Sequence, residues 1–152
     1  MRRYILSMMV VFCLVVSLCS CGSDESEGIY FSLSDTPSTE FYMKTEYSTY
    51  DADVEQIRLI FGRKDGKVFK FDFRYIVYVY ENGVWKKIAF DSSFSYQPGT
   101  RELVKKDPNA PDSAEASQII SVLDLNVKLT SGRYKVQKEF KDGSVCAEFV
   151  IN

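Results

Sequence analysis

No histidine occurs anywhere among the 152 residues. That removes Ser–His and Cys–His nucleophile pairs and the usual imidazole ligands of zinc or copper. General acid–base chemistry near neutral pH most often runs through histidine, so an enzyme is not expected. A Ser–Lys pair or two carboxylates can act without it, but serine and lysine are scattered here without a recognisable spacing. Cysteine is scarce where it would matter. Cys13, Cys19 and Cys21 crowd the start of the chain, leaving Cys146 as the single later thiol, so the folded part can hold no intramolecular disulfide. Basic charge is in short supply too. Arg2 and Arg3 are the only charges in residues 1–20, so setting that stretch aside leaves 17 of the 19 bases against 21 acids. A net charge of about −4 argues against nucleic acid, which calls for a basic stripe, and against attraction to anionic lipid.

No apolar run reaches the roughly 20 residues that cross a ~30 Å hydrocarbon core. The longest, Ile5 to Leu18, is broken by Ser7, Cys13 and Ser17 and follows Arg2 and Arg3. Residues 1–20 therefore read as a signal peptide rather than a span. Leu18-Cys19-Ser20-Cys21 at its end, followed by Gly22-Ser23-Asp24-Glu25-Ser26-Glu27-Gly28, resembles a bacterial lipoprotein signal; an ordinary secretory signal cleaved nearby is the alternative. Cys19 is the poorer acceptor because bulky Leu18 precedes it, whereas Ser20 precedes Cys21. The resemblance implies two or more acyl chains, palmitate among them, on Cys21. It also implies a place on a bacterial membrane facing away from the cytoplasm, at the outer membrane or cell surface. Two chains hold a protein on a bilayer where one gives only marginal attachment. Residues 21–28 then form a lipidated flexible tether, whose seven residues after Cys21 reach about 25 Å when extended. Asp24, Glu25 and Glu27 resemble surface-export signals of some Gram-negative lipoproteins, and a solvated linker accounts for them equally well.

Residues 29–152 suffice for one domain and leave no room for two cores. The hydrophobic period there is two. Ile29, Phe31 and Leu33 alternate with polar neighbours, as do Phe41, Met43, Thr45 and Tyr47, then Ile57, Leu59 and Phe61, with Ile60 out of pattern. Phe69, Phe71, Phe73 and Tyr75 share a face, as do Tyr134, Val136 and Phe140, and then Val145, Ala147, Phe149 and Ile151. Tyr75 to Tyr80 is apolar on both faces. No helical stripe appears. Glu81-Asn82-Gly83, Lys141-Asp142-Gly143 and Arg63-Lys64-Asp65-Gly66 supply turns, and Tyr50-Asp51-Ala52-Asp53 a bend. Short strands at these intervals predict an all-β, antiparallel sandwich of about seven to nine strands. The polar stretch 98–116, with Pro108 and Pro111, is expected to be a long loop.

Leu129-Thr130-Ser131-Gly132-Arg133-Tyr134 resembles the corner of an immunoglobulin-like sandwich, where a tyrosine near the start of a late strand bonds back to the preceding turn. Thr45 to Tyr50, the hairpin from Tyr78–Tyr80 to Val84-Trp85-Lys86-Lys87-Ile88, and the closing Ala147 to Ile151 follow in matching order. From Phe41 to Asn152 the chain is similar to the small bacterial immunoglobulin-like domain of cell-envelope lipoproteins. The resemblance implies structural roles for Gly132 and Tyr134 and no catalytic residues. Unlike antibody domains, the sequence has no cysteine pair to bridge the sheets.

The phenylalanines read as core. Tyr42, Tyr78, Tyr80 and Trp85 divide between core and a wet interface, and Tyr78, Tyr80 and Trp85 are the expected binding surface. Asp51 and Asp53 lack the ordered oxygens of a calcium loop. Neither Ser92 nor Ser93 sits in a glycine-flanked nucleophile elbow. Cys146 falls on the side of its strand with Glu148, and an inert thiol is the default. No cofactor or metal is expected. These readings point to a non-enzymatic envelope module presenting a surface to a protein or glycan. The alternative is a protease-inhibitor-like or structural accessory subunit acting through the 98–116 loop. Mass spectrometry of the mature N-terminal peptide is expected to show diacyl- or triacylglyceryl cysteine at position 21, with membrane attachment lost in Cys21→Ala. An unmodified Cys21 refutes the lipoprotein reading.

Overall fold

The alternation of Ile57, Leu59 and Phe61 survives intact in a computed structural model, where all three are buried along a central strand. The structure describes residues 33–102 and 114–152. The predicted signal, Cys21, the tether, the strand from Ile29 to Leu33 apart from Leu33 itself, and the middle of the 98–116 stretch lie outside those residues.

Ten strands occur among the described residues: β1 (Phe41–Thr45), β2 (Thr49–Tyr50), β3 (Gln56–Arg63), β4 (Lys70–Asp72), β5 (Ile76–Glu81), β6 (Val84–Ile88), β7 (Thr100–Glu102), β8 (Glu115–Ser121), β9 (Gly132–Phe140) and β10 (Gly143–Ile151). A three-stranded sheet, β1-β3-β8, faces a five-stranded sheet, β2-β10-β9-β5-β6, and β4 and β7 form a small third pair. This is an immunoglobulin-like β-sandwich. The three strands of two or three residues, β2, β4 and β7, raise the number above the expected seven to nine. One pairing departs from the antiparallel expectation, because β2 runs parallel to β10. The supposed loop 98–116 also begins and ends in strands, with Phe71 opposite Arg101 in the β4–β7 pair and Gly62 opposite Glu115 in the β3–β8 pair.

Turn chemistry sets the hairpins. Asn82 and Gly83 both lie at positive φ, 52° and 84°, which lets a two-residue turn follow the twist of β5 and β6. At the β9–β10 hairpin the loop is Lys141-Asp142, and Gly143, at φ 142°, is the first residue of β10. A Cβ at Gly143 would lie 2.5 Å from the Thr36 carbonyl oxygen, so only glycine admits the entering chain there. That chain is pinned by Asp142, whose carboxylate accepts from the Ser38 hydroxyl at 2.8 Å and from the Thr39 and Glu40 amides at 3.1 Å. Ser38 N–H also donates to Ser144 O, and Ser144 N–H to Thr36 O. The chain thus enters at the β9–β10 hairpin, while Ile151 and Gly132 mark the far pole. Nine-residue strands separate the two by about 30 Å.

Aromatic rings fill the core. Phe41 stacks on Phe140 at 4.3 Å, and Phe61 meets Phe71 edge-on at 5.0 Å. The predicted face Phe69–Phe71–Phe73–Tyr75 is not one strand. Past Asp72 the chain leaves β4 and crosses to β5, and side chains cap the carbonyls freed by the crossing. Lys138 donates to Asp72 O and to Arg74 O (3.2 Å), Gln118 to Phe73 O (2.7 Å), and the Tyr96 hydroxyl to Tyr75 O.

Lys138 shares the inner face of β9 with Tyr134, Val136 and Phe140 and is 0% exposed. Its third donor reaches Gln118 Oε1 on β8 at 3.1 Å, so three N–H groups meet three acceptors. Phe61 and Phe71 lie 5.3 and 5.7 Å from the ammonium, and Asp72 Oδ1 is 3.8 Å away. Burial pushes its pKa down to about 8 despite Asp72. Below that value the folded state carries the buried charge. Between about 8 and the ordinary 10.5 the unfolded chain holds the proton longer, so the lysine's contribution shifts toward the folded state as pH rises. Urea unfolding of wild type and Lys138→Met at pH 7 and pH 10 should therefore show wild type gaining on the variant by about 2–3 kcal/mol. A constant difference would mean that the lysine keeps its normal pKa.

Candidate functional site: an aromatic and cationic sheet face

Register brings two of the three expected binding residues onto an open surface. On the outer face of the five-stranded sheet Tyr80 of β5 lies opposite Trp85 of β6, with ring centroids 5.0 Å apart and tilted 56°. The Asn82-Gly83 turn just beyond forces this pairing. Tyr80 is 37% exposed and Trp85 half-buried. β9 supplies the cations. The Arg133 guanidinium lies 4.8 Å from the Tyr80 ring and 5.8 Å from Trp85, and its Nη2 donates to Glu148 Oε2 on β10 at 3.0 Å. Lys135 Nζ sits 4.7 Å from Trp85 and 4.6 Å from Tyr78. Cations on β9 flank rings on β5 and β6, an arrangement worth about 0.5–1 kcal/mol per exposed cation–π contact.

Tyr78 departs from the expectation. It is 8% exposed, and its hydroxyl donates to Gln137 Oε1 at 2.6 Å. The Gln137 amide reaches on to Ser34 O (2.8 Å) and Ser144 Oγ (3.0 Å), so the entering chain lies against this part of the outer face. The tyrosine hydroxyl is pushed up in pKa chiefly by burial. Tyr78 backs the surface rather than presenting it. Ile76 and Val77 beside it are also buried, which explains why β5 reads as apolar on both faces.

Tyr134 lies on the opposite, inner face. Its hydroxyl donates to Thr130 O at 2.7 Å and accepts from Thr130 N–H at 3.0 Å, and its ring stacks on Phe149 at 5.5 Å. Gly132 begins β9 directly after this turn. Tyr42, half-buried, donates to Glu115 at 2.7 Å; burial first and that acid second push its pKa up to about 12. Tyr47 falls beyond β1 and is exposed.

Cys146 is exposed on the outer face. Desolvation pushes its thiol pKa up, Lys135 pulls it down and Glu148 adds to the rise, so the thiolate is disfavoured. Asp91 takes both hydrogen bonds of Ser93, from its amide and its hydroxyl, in a tight turn. Among the described residues no group of three or more Cys, Asp or Glu could hold a metal ion. The residue sequence reasoning passed over is Lys138. Its signal was present, a lysine two residues from both Val136 and Phe140 on a face otherwise apolar.

With fold and surface in place, comparison with known proteins gives the class and then the family. Residues 37–150 match the family model described as the bacterial Ig-like domain, and the chain belongs to that family. Among solved structures it is similar to the archaellum periplasmic stator protein complex FlaF and FlaG from Sulfolobus acidocaldarius, with 14% identity and a TM-score of 0.39 over 80% of this chain and 99% of that one. No curated protein matches the chain.

Tyr134→Phe removes both hydroxyl bonds to Thr130 and should cost about 1–3 kcal/mol of stability in denaturant melts while leaving outer-face binding intact. An unchanged midpoint would remove Tyr134 from any structural role at the corner.

Proposed function

We propose that the chain is a membrane-anchored, non-enzymatic lipoprotein of the bacterial cell envelope. Residues 1–20 are removed as a signal peptide, Cys21 is acylated, residues 21–28 serve as tether, and residues 29–152 form the immunoglobulin-like domain. That domain presents a binding surface to a protein or glycan outside the cytoplasm. Membership of the bacterial Ig-like family supports a binding or structural module over an enzyme.

The observation that carries the reading is the Tyr80–Trp85 pair with the Arg133 and Lys135 cations of β9 within 4.7–5.8 Å of its rings. Aromatic faces stack on sugar rings or on flat protein groups, and the neighbouring cations add donors for hydroxyl, carbonyl or carboxylate oxygens. The surface is already ordered by its own contacts, which lowers the entropy lost on binding.

A panel of envelope proteins and an envelope-glycan array, probed with the full chain, should yield a ligand. Tyr80→Ala or Trp85→Ala should weaken it about thirtyfold, since interface aromatics often carry about 2 kcal/mol or more. Circular dichroism should be unchanged in both variants. An empty panel, together with hydrolase turnover abolished by changing one carboxylate, would replace the binding module with an enzyme.

A further inference from the structure

The far pole carries a second surface of different chemistry. There the turn after β2, Asp51 to Glu55, faces the segment that joins β8 to β9, and between them lies a cleft of about 480 Å³. Val54, Leu123, Leu125 and Val127 line it. Leu123 is 76% exposed, the most of any large hydrophobic residue among those described, and Val127 is 45% exposed. Burying a leucine is worth about 1.5–3 kcal/mol, so a leucine held this far out on a three-residue 3-10 turn forgoes that gain in the isolated domain.

The rim is acidic. Asp53 and Glu55 line the cleft and Asp51 stands two residues before, all three exposed, with Lys128 the one cation in the lining. Among the described residues none of these three acids joins an ion pair. Glu40, Glu46, Asp65, Glu81, Glu102, Glu115 and Glu148 each have one. Asp35, Asp91, Asp124, Glu139 and Asp142 have none either, but among the described residues only this five-residue turn holds three acids without one. An apolar cleft whose edge is net negative, with Asp51, Asp53 and Glu55 against Lys128, favours a partner of the opposite sign and disfavours both anionic lipid and acidic glycan.

We propose that this cleft is a docking site for a basic segment of a partner protein. An aliphatic or aromatic side chain enters between Val54 and Leu123, and flanking lysines or arginines reach Asp51, Asp53 and Glu55. The pole lies about 30 Å from the point where the chain enters the sandwich, so an anchor on the N-terminal side turns it outward. The chemistry of the cleft does not rest on that anchor, nor on the Tyr80–Trp85 face.

The test uses the purified full chain and a biotinylated pentapeptide with photo-leucine at its centre and lysines on either side. Adducts mapped by mass spectrometry should fall on residues 52–55 and 122–129. Their yield should drop at least tenfold in Leu123→Ser and in the double variant Asp53→Lys, Glu55→Lys. Both variants change exposed positions, and circular dichroism checks their folding. A peptide with glutamates in place of the lysines should give no more than background. Adducts scattered over the surface, equal labelling by the acidic peptide, or yields unchanged in both variants would overturn the proposal. So would adducts joining two copies of the chain at this pole, which would make the occupant a second copy.

Discussion

A single buried ammonium ties the two sheets and the crossing chain together. Lys138 projects from β9, two residues before its end, into an interior of phenylalanines and spends its three donors on Asp72 O, Arg74 O and Gln118 Oε1. Its lowered pKa says that burial costs more than the nearby carboxylate returns. The benefit is in register. A slip of β9 by one residue would expose Tyr134, Val136 and Phe140, so the apolar pattern already forbids it. A slip by two keeps the same face inward and is tolerated by apolar residues. It would also carry the ammonium away from all three acceptors and leave a bare charge in the core. The lysine penalises the error that hydrophobicity alone cannot see, as a single buried polar residue does in a coiled coil.

Much of this fold is legible in the sequence because period two is enforced wherever one face is buried. Ile57, Leu59 and Phe61, and then Ala147, Phe149 and Ile151, needed nothing more. Legibility fails where a strand changes sheets. Phe69 to Tyr75 keeps its alternation through a crossing whose carbonyls are capped by Lys138, Gln118 and Tyr96, three residues distant in sequence. No local pattern announces such a cap. β2 and β7 were missed for a related reason. Two or three residues are too few to show a period, and their pairing depends on β10 and β4.

The surface was legible in part. Tyr80 and Trp85 could be paired in advance because Asn82-Gly83 fixes a two-residue hairpin. Their cations could not, since Arg133 and Lys135 come from β9, some fifty residues later in the chain. Tyr78 belongs to the same outward set as Tyr80 by parity, yet Gln137 and the entering chain at Ser34 cover it. Parity decides which way a side chain points and says nothing of what lies over it.

The chain touches the open edge of β10 twice in the same direction, at Thr36–Ser38 and again at Thr49–Tyr50, and leaves it between for the other sheet. Parallel contacts of this kind bear mechanical load in a particular way. A pull on the chain ahead of Pro37, resisted by something held at the far pole, runs along the axis of β10. It meets the Ser38–Ser144 and Ser144–Thr36 bonds and the Asp142 clasp side by side, in shear, so they must give way together rather than peel one after another. Such a pull would load these bonds together, and the weaker direction is a sideways pull that lifts the entering chain off the edge.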